Sequence, residues 1–111
     1  MHTKSNPLTL RDEVTGEDRR LLRAYLDGEG NLHIDGQDLG PGTAMVSDDG
    51  EYEWFKEIRA CDLPRLVEAL GGAPGTPVLT LLKERFTGAG SYALERVLRT
   101  SGIPIELHVW P

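Results

Sequence analysis

Apolar and polar residues alternate in four segments of the chain, and this spacing of two predicts four β-strands. The first two segments flank Asp27-Gly-Glu-Gly-Asn31, whose turn-forming residues predict a hairpin. Gly40-Pro-Gly42 lies in the middle of the next stretch, residues 36–50, which is typical of a loop. The predicted strands cover residues 21–26, 32–35, 51–60 and 103–110.

Between the third and fourth strands the apolar spacing changes to three and four, which predicts three helices. Asp62 is the expected cap of the first helix, and Gly71-Gly72 its end. Thr76-Pro77 is a typical start for the second helix. Ser91 is the expected cap of the third helix, which Gly102 ends.

The element order β-β-β-α-α-α-β separates strands from helices and predicts an α+β fold. We expect three or four mainly antiparallel strands with the three helices packed on one face. A length of 111 residues suits one domain, predicted over residues 20–111, with residues 1–19 as a mobile arm. The expected core contains Trp54, Leu66, Leu70, Leu82, Leu98 and Ile105.

The net charge of −6 comes entirely from one part of the chain. Residues 27–53, here called the acidic segment, hold eight of the 18 acidic residues and no Lys or Arg. The rest of the chain carries 12 basic and 10 acidic residues, a net charge of +2. The acidic segment would repel phosphate groups, so a nucleic-acid binder is disfavoured. It could attract a basic protein partner; the alternative is that acidic turns keep a small protein soluble.

The sequence lacks the patterns of common catalytic sites. It contains no nucleophile elbow, phosphate-binding loop or dinucleotide-binding glycine pattern. Its single cysteine, Cys61, excludes an internal disulfide and a cysteine-rich zinc site, and we expect it to be a small buried residue.

No apolar run approaches the length of a membrane helix, so the expected location is the reducing cytoplasm.

Metal ligands are present but widely spaced. His33 and Asp35 share one strand face, and Glu106 and His108 share one face of the last strand. If these two strands were neighbours, the four side chains could bind zinc or iron. Because no histidine has a close-spaced second nitrogen or sulfur ligand, we expect no metal ligand. Since the motifs of catalytic and cofactor sites are also missing, we expect no catalytic residue and no cofactor.

The sheet face opposite the helices is the remaining candidate surface. The strand alternation places the aromatic residues Tyr25, Phe55 and Trp110 on this face among carboxylates. Aromatic residues are enriched in protein interfaces. The sequence therefore predicts a non-enzymatic protein-binding module. A small enzyme or metal-dependent module, and a self-associating protein that forms a homodimer, are the alternatives. The candidate partner-binding residues are Tyr25, Asp48, Asp49, Glu51, Glu53, Phe55 and Trp110.

Four segments carry a resemblance to a known family: Leu32-His-Ile-Asp-Gly-Gln-Asp-Leu-Gly-Pro41, Glu51-Tyr-Glu-Trp54, Asp62-Leu-Pro-Arg-Leu-Val-Glu-Ala-Leu-Gly71 and Gly102-Ile-Pro-Ile-Glu106. With them the chain resembles a family of short, acidic, uncharacterised actinobacterial proteins, over residues 21–110. The excess of nine Arg over three Lys fits a GC-rich coding bias. In size, charge and layout the chain also resembles immunity proteins of bacterial toxin systems, which implies a toxin-neutralising role.

Overall fold

A computed structural model describes residues 7–40 and 51–110 of the chain. Over these residues the fold is α+β, with an antiparallel sheet of five strands, one or two more than predicted. The strands lie in the order β1-β2-β3-β4-β5, and the three helices are inserted between β4 and β5. The strands are β1 Leu8–Thr15, β2 Asp18–Leu26, β3 Leu32–Leu39, β4 Glu51–Ile58 and β5 Glu106–Trp110.

The prediction of a mobile arm is wrong from Leu8 onward, because β1 pairs with β2 and closes a hairpin at Gly16-Glu17. Gly16 has a φ of +63°, which two-residue hairpin turns commonly require. The register shifts between Thr9 and Arg11, a bulge that places both Leu10 and Arg11 in buried positions. Two consecutive buried residues, one of them charged, break the alternation by which a strand is predicted.

One face of the sheet forms the core together with the helices. Cross-strand neighbours on this face include Ala24 with Ile34 and Leu32 with Ile58, and all four side chains are fully buried. Four of the six predicted core residues are buried, and the other two, Trp54 and Ile105, are half-buried against the core. The buried four are Leu66, Leu70, Leu82 and Leu98.

The helices are α1 Leu63–Ala69, α2 Val78–Arg85 and α3 Gly90–Thr100. Their buried residues recur at helical spacing, as in α3, where Ser91, Leu94 and Leu98 are buried. Ser91 was the expected cap of α3, but the helix begins one residue earlier. The Ser91 hydroxyl instead donates a hydrogen bond to the Gly88 carbonyl at 2.6 Å.

A buried arginine attaches α3 to β1. Arg11 is 4% exposed, and its guanidinium donates to Ser91 Oγ at 2.9 Å and to Glu95 Oε1 at 2.5 Å. The ring of Tyr92 lies against the same guanidinium, with its centroid 3.7 Å from the central carbon. The Tyr92 hydroxyl donates to Glu13 at 2.5 Å. These contacts compensate the buried charge and fix α3 over the first strand.

Candidate binding face of the sheet

The face of the sheet opposite the helices is called the outer face here. Its side chains alternate with the core residues and form rows across the strands. One row runs from Tyr25 on β2 through His33 and Glu57 to Glu106 on β5. The adjacent row contains Arg23, Asp35, Phe55 and His108.

A depression of about 220 Å³ lies on the outer face. Tyr25 and Phe55 line it from opposite strands, and Asp35 and Glu53 supply carboxylates to its wall. Burial and the charges of Asp35, Asp27 and Glu57 raise the pKa of the Tyr25 hydroxyl. The depression therefore combines aromatic contact area with two carboxylates and the Arg23 guanidinium, a formal net charge of −1. Its other lining residues are Pro7, Leu21, Arg23, Gly36 and Gln37.

Beside this depression, Asp27, His33 and Glu57 form a group that we call the histidine cluster. His33 Nε2 lies 2.8 Å from Asp27 Oδ2 and 3.9 Å from Glu57 Oε1. The His33 ring stacks on Tyr25, with centroids 4.7 Å apart and the planes inclined by 3°. The stacking holds the imidazole with its Nε2 edge toward both carboxylates.

The β2–β3 turn fixes the Asp27 carboxylate. Its Oδ1 accepts hydrogen bonds from the backbone N–H groups of Glu29 and Asn31, at 2.9 and 3.0 Å. The hydrogen bond with His33 and those from the turn lower the Asp27 pKa to about 2. Asn31 also accepts a hydrogen bond from the Ala60 backbone N–H at 2.9 Å, which ties the turn to the end of β4.

The structure brings together three of the seven candidate partner-binding residues, since Tyr25, Glu53 and Phe55 all line the outer-face depression. Trp110 is the register partner of Glu53 across β4 and β5. Glu51 is the first residue of β4 and pairs with Leu39. Asp48 and Asp49 lie outside the described residues.

The predicted set of metal-ligand candidates is divided by the strand order. Because β4 lies between β3 and β5, His33 and Asp35 are two strands away from Glu106 and His108, a separation of about 10 Å. His33 instead meets Asp27 and Glu57, which the sequence did not single out. The turn residues around Asp27 were recognised, but the pairing of His33 with Glu57 required the β3–β4 register.

Cys61 is exposed, so the prediction that it is a small buried residue is wrong. It lies in a short 3-10 turn, Ala60–Asp62, in which no residue is buried. The turn joins β4 to α1 at the surface.

An apolar groove of about 530 Å³ lies between α1, α2 and the end of β2. Leu26, Leu63, Val67, Val78 and Leu79 are among the residues lining it. Within residues 7–40 and 51–110, no residue lining the groove carries an ionisable side chain of the kind that acid–base chemistry requires.

Comparisons of the chain with protein-family models, curated proteins and solved structures find no match. No helix among the described residues combines the length and apolarity needed to cross a bilayer.

Proposed function

We propose that this protein is a non-enzymatic binding module that presents its outer sheet face and acidic segment to a basic protein partner. The observation that supports this most directly is the outer-face depression, in which Tyr25 and Phe55 lie beside carboxylates. Phe55 is 37% exposed although it is a large apolar side chain in the middle of a strand. Partly exposed aromatic residues of this kind commonly anchor protein interfaces.

Charge supports a basic partner. Asp35 and Glu53 belong to both the acidic segment and the depression, and Glu57 continues the carboxylates along β4. A negative surface of this kind accelerates the approach of a positively charged protein more than it increases the final affinity. One form of this function is the neutralisation of a basic toxin, in line with the resemblance to immunity proteins. We place the protein in the cytoplasm, where an exposed thiol such as that of Cys61 stays reduced.

The test uses the tag-free protein as bait and then measures association with the purified captured protein. We expect the association rate to fall steeply as salt rises from about 50 to 500 mM, because the Debye length shortens. Neutralising four acidic residues should slow association about tenfold or more at low salt and leave the melting temperature nearly unchanged. The four substitutions are Asp48→Asn, Asp49→Asn, Glu51→Gln and Glu53→Gln.

A control variant neutralises two exposed acidic residues on the helices, Glu68→Gln and Glu84→Gln, and is compared with the two-charge variant Glu51→Gln/Glu53→Gln. The control should bind as the wild type does. Phe55→Ala should accelerate dissociation with little effect on association, because it removes contact area and no charge. A partner whose association rate ignores salt and the four neutralising substitutions, and whose dissociation rate ignores Phe55→Ala, would contradict the proposal.

A further inference from the structure

We propose that Asp27, His33 and Glu57 form a binding site for one divalent transition-metal cation, with Zn²⁺ as the best-suited ion. This site does not depend on the proposed protein-binding function, although it shares Glu57 with the proposed binding surface. It draws on three separate elements: the β2–β3 turn, β3 and β4. One ligand atom from each residue lies within 4.8 Å of the other two.

The spacing of the ligand atoms suits a tetrahedral ion. Zinc bonds of about 2.0–2.1 Å to nitrogen and oxygen place neighbouring tetrahedral ligands about 3.4 Å apart. The two distances from His33 Nε2, 2.8 Å to Asp27 and 3.9 Å to Glu57, lie on either side of this value. The third distance, between the Asp27 and Glu57 oxygens, is within 4.8 Å. Adjustments of about half an ångström bring the two His33 distances to the zinc value, and the two carboxylates close on the ion by at most about 1.4 Å. Three protein ligands leave a fourth position for water.

The charge balance favours a cation. In the described part of the chain, His33 is the only basic group within ion-pair distance of the Asp27 or Glu57 carboxylate. With a neutral imidazole, the cluster carries a charge of about −2, which a divalent ion neutralises. When Nε2 binds the metal, the imidazole carries its proton on Nδ1.

The surroundings orient the ligands, as the partners of metal ligands generally do. The Tyr25 ring holds the imidazole plane, and two backbone N–H groups hold the Asp27 carboxylate by its other oxygen. All three ligand residues are half-buried, so an ion can reach them from solvent. The imidazole nitrogen favours zinc over calcium or magnesium, which prefer ligand sets made only of oxygen.

The first experiment titrates tag-free, chelator-treated protein with ZnCl₂ by calorimetry. A Cys61→Ser background excludes the exposed thiol as a competing ligand. We expect one ion per chain, and affinity at least tenfold weaker in His33→Gln, Asp27→Asn and Glu57→Gln. Matched variants of nearby outer-face residues, Asp35→Asn, Glu106→Gln and His108→Gln, should bind as the background does. Magnesium at millimolar concentration should not compete.

The second measurement keeps the three ligands intact, so it does not depend on the folding of the variants. Zinc is added to ¹⁵N-labelled protein of the Cys61→Ser background, and the imidazole nitrogens are followed by NMR. We expect the His33 Nε2 resonance to move to the range of a metal-bound nitrogen while the His108 resonances stay in place. Absence of stoichiometric binding, or a metal-bound His108 with an unchanged His33, would overturn the proposal.

Discussion

The indole ring of Trp54 lies over the backbone of Gly36, its register partner on β3. A Cβ atom at position 36 would overlap ring atoms Cε2 and Cζ2. Glycine within a strand often marks a place where another group approaches closely, and here that group is the indole. The sequence predicted a loop from Gly36, but β3 continues through this glycine to Leu39 and pairs with β2 and β4 along that length.

Gly36→Ala should lower the free energy of unfolding by about 1–3 kcal/mol, the usual cost of adding a methyl group to a filled site. The methyl group can be accommodated only if the indole moves. Urea unfolding would measure the change. In a Trp54→Leu background the same substitution should cost much less, because the ring is gone. Equal costs in both backgrounds would show that the contact does not limit position 36.

Glu95→Ala should destabilise the protein by about 3 kcal/mol, because it leaves the buried Arg11 guanidinium without its carboxylate. The loss lies at the low end for such pairs, since Ser91 still accepts a hydrogen bond from Arg11. Arg65→Gln breaks an exposed pair with Asp62 and should change stability by less than about 0.5 kcal/mol. Similar effects of the two substitutions in urea unfolding would contradict a structural role for the buried pair.

The fold class and the helical layer could be predicted from the sequence, because apolar residues repeat there with clear strand and helix periods. The strand β1 could not be predicted, because its buried Arg11 depends on contacts with α3. Two of them, the hydrogen bonds to Ser91 and Glu95, reach 80 and 84 residues along the chain. Local alternation carries no information about partners at such distances.

The candidate site could be predicted in part. Alternation within single strands placed Tyr25, Glu53 and Phe55 on one face, and the depression they line follows from it. The histidine cluster depends on the strand order and on the conformation of a turn, which residue spacing does not specify. Because the sequence does not give the strand order, it groups His33 and His108 together as candidate ligands, although β4 separates their strands.

Leu66→Ala should destabilise the protein by about 2–5 kcal/mol, the range for truncation of a buried leucine. Leu66 is fully buried on α1 and packs in the core. Leu107→Ala offers a matched control, because Leu107 is 55% exposed on β5 and should cost less than about 1 kcal/mol. A Leu66→Ala cost below about 1 kcal/mol would show that this part of the core is not tightly packed.

Asp38 and Asp12 should have opposite effects on the pH dependence of stability. Burial raises the pKa of the Asp38 carboxyl above the ordinary 3.8, in spite of the nearby Arg20 and Arg11 charges. The folded state therefore disfavours ionised Asp38, and this destabilisation is complete at neutral pH. The hydrogen bond from Arg19 lowers the pKa of Asp12, so ionised Asp12 stabilises the folded state.

Asp38→Asn should raise the melting temperature at pH 7. The gain should shrink as the pH falls through the raised pKa of folded Asp38. It should be absent below about pH 3.8, where Asp38 is protonated in both the folded and the unfolded state. Asp12→Asn should lower the melting temperature slightly at pH 7, and its effect should fade as the pH falls through the lowered pKa of Asp12. Thermal melts of the wild type and both variants between about pH 2 and pH 7 measure the two differences. The acid-induced changes of all other groups cancel in each comparison with the wild type. A fall in melting temperature for Asp38→Asn at pH 7 would show that attraction to Arg20 and Arg11 outweighs the cost of burying the Asp38 carboxylate.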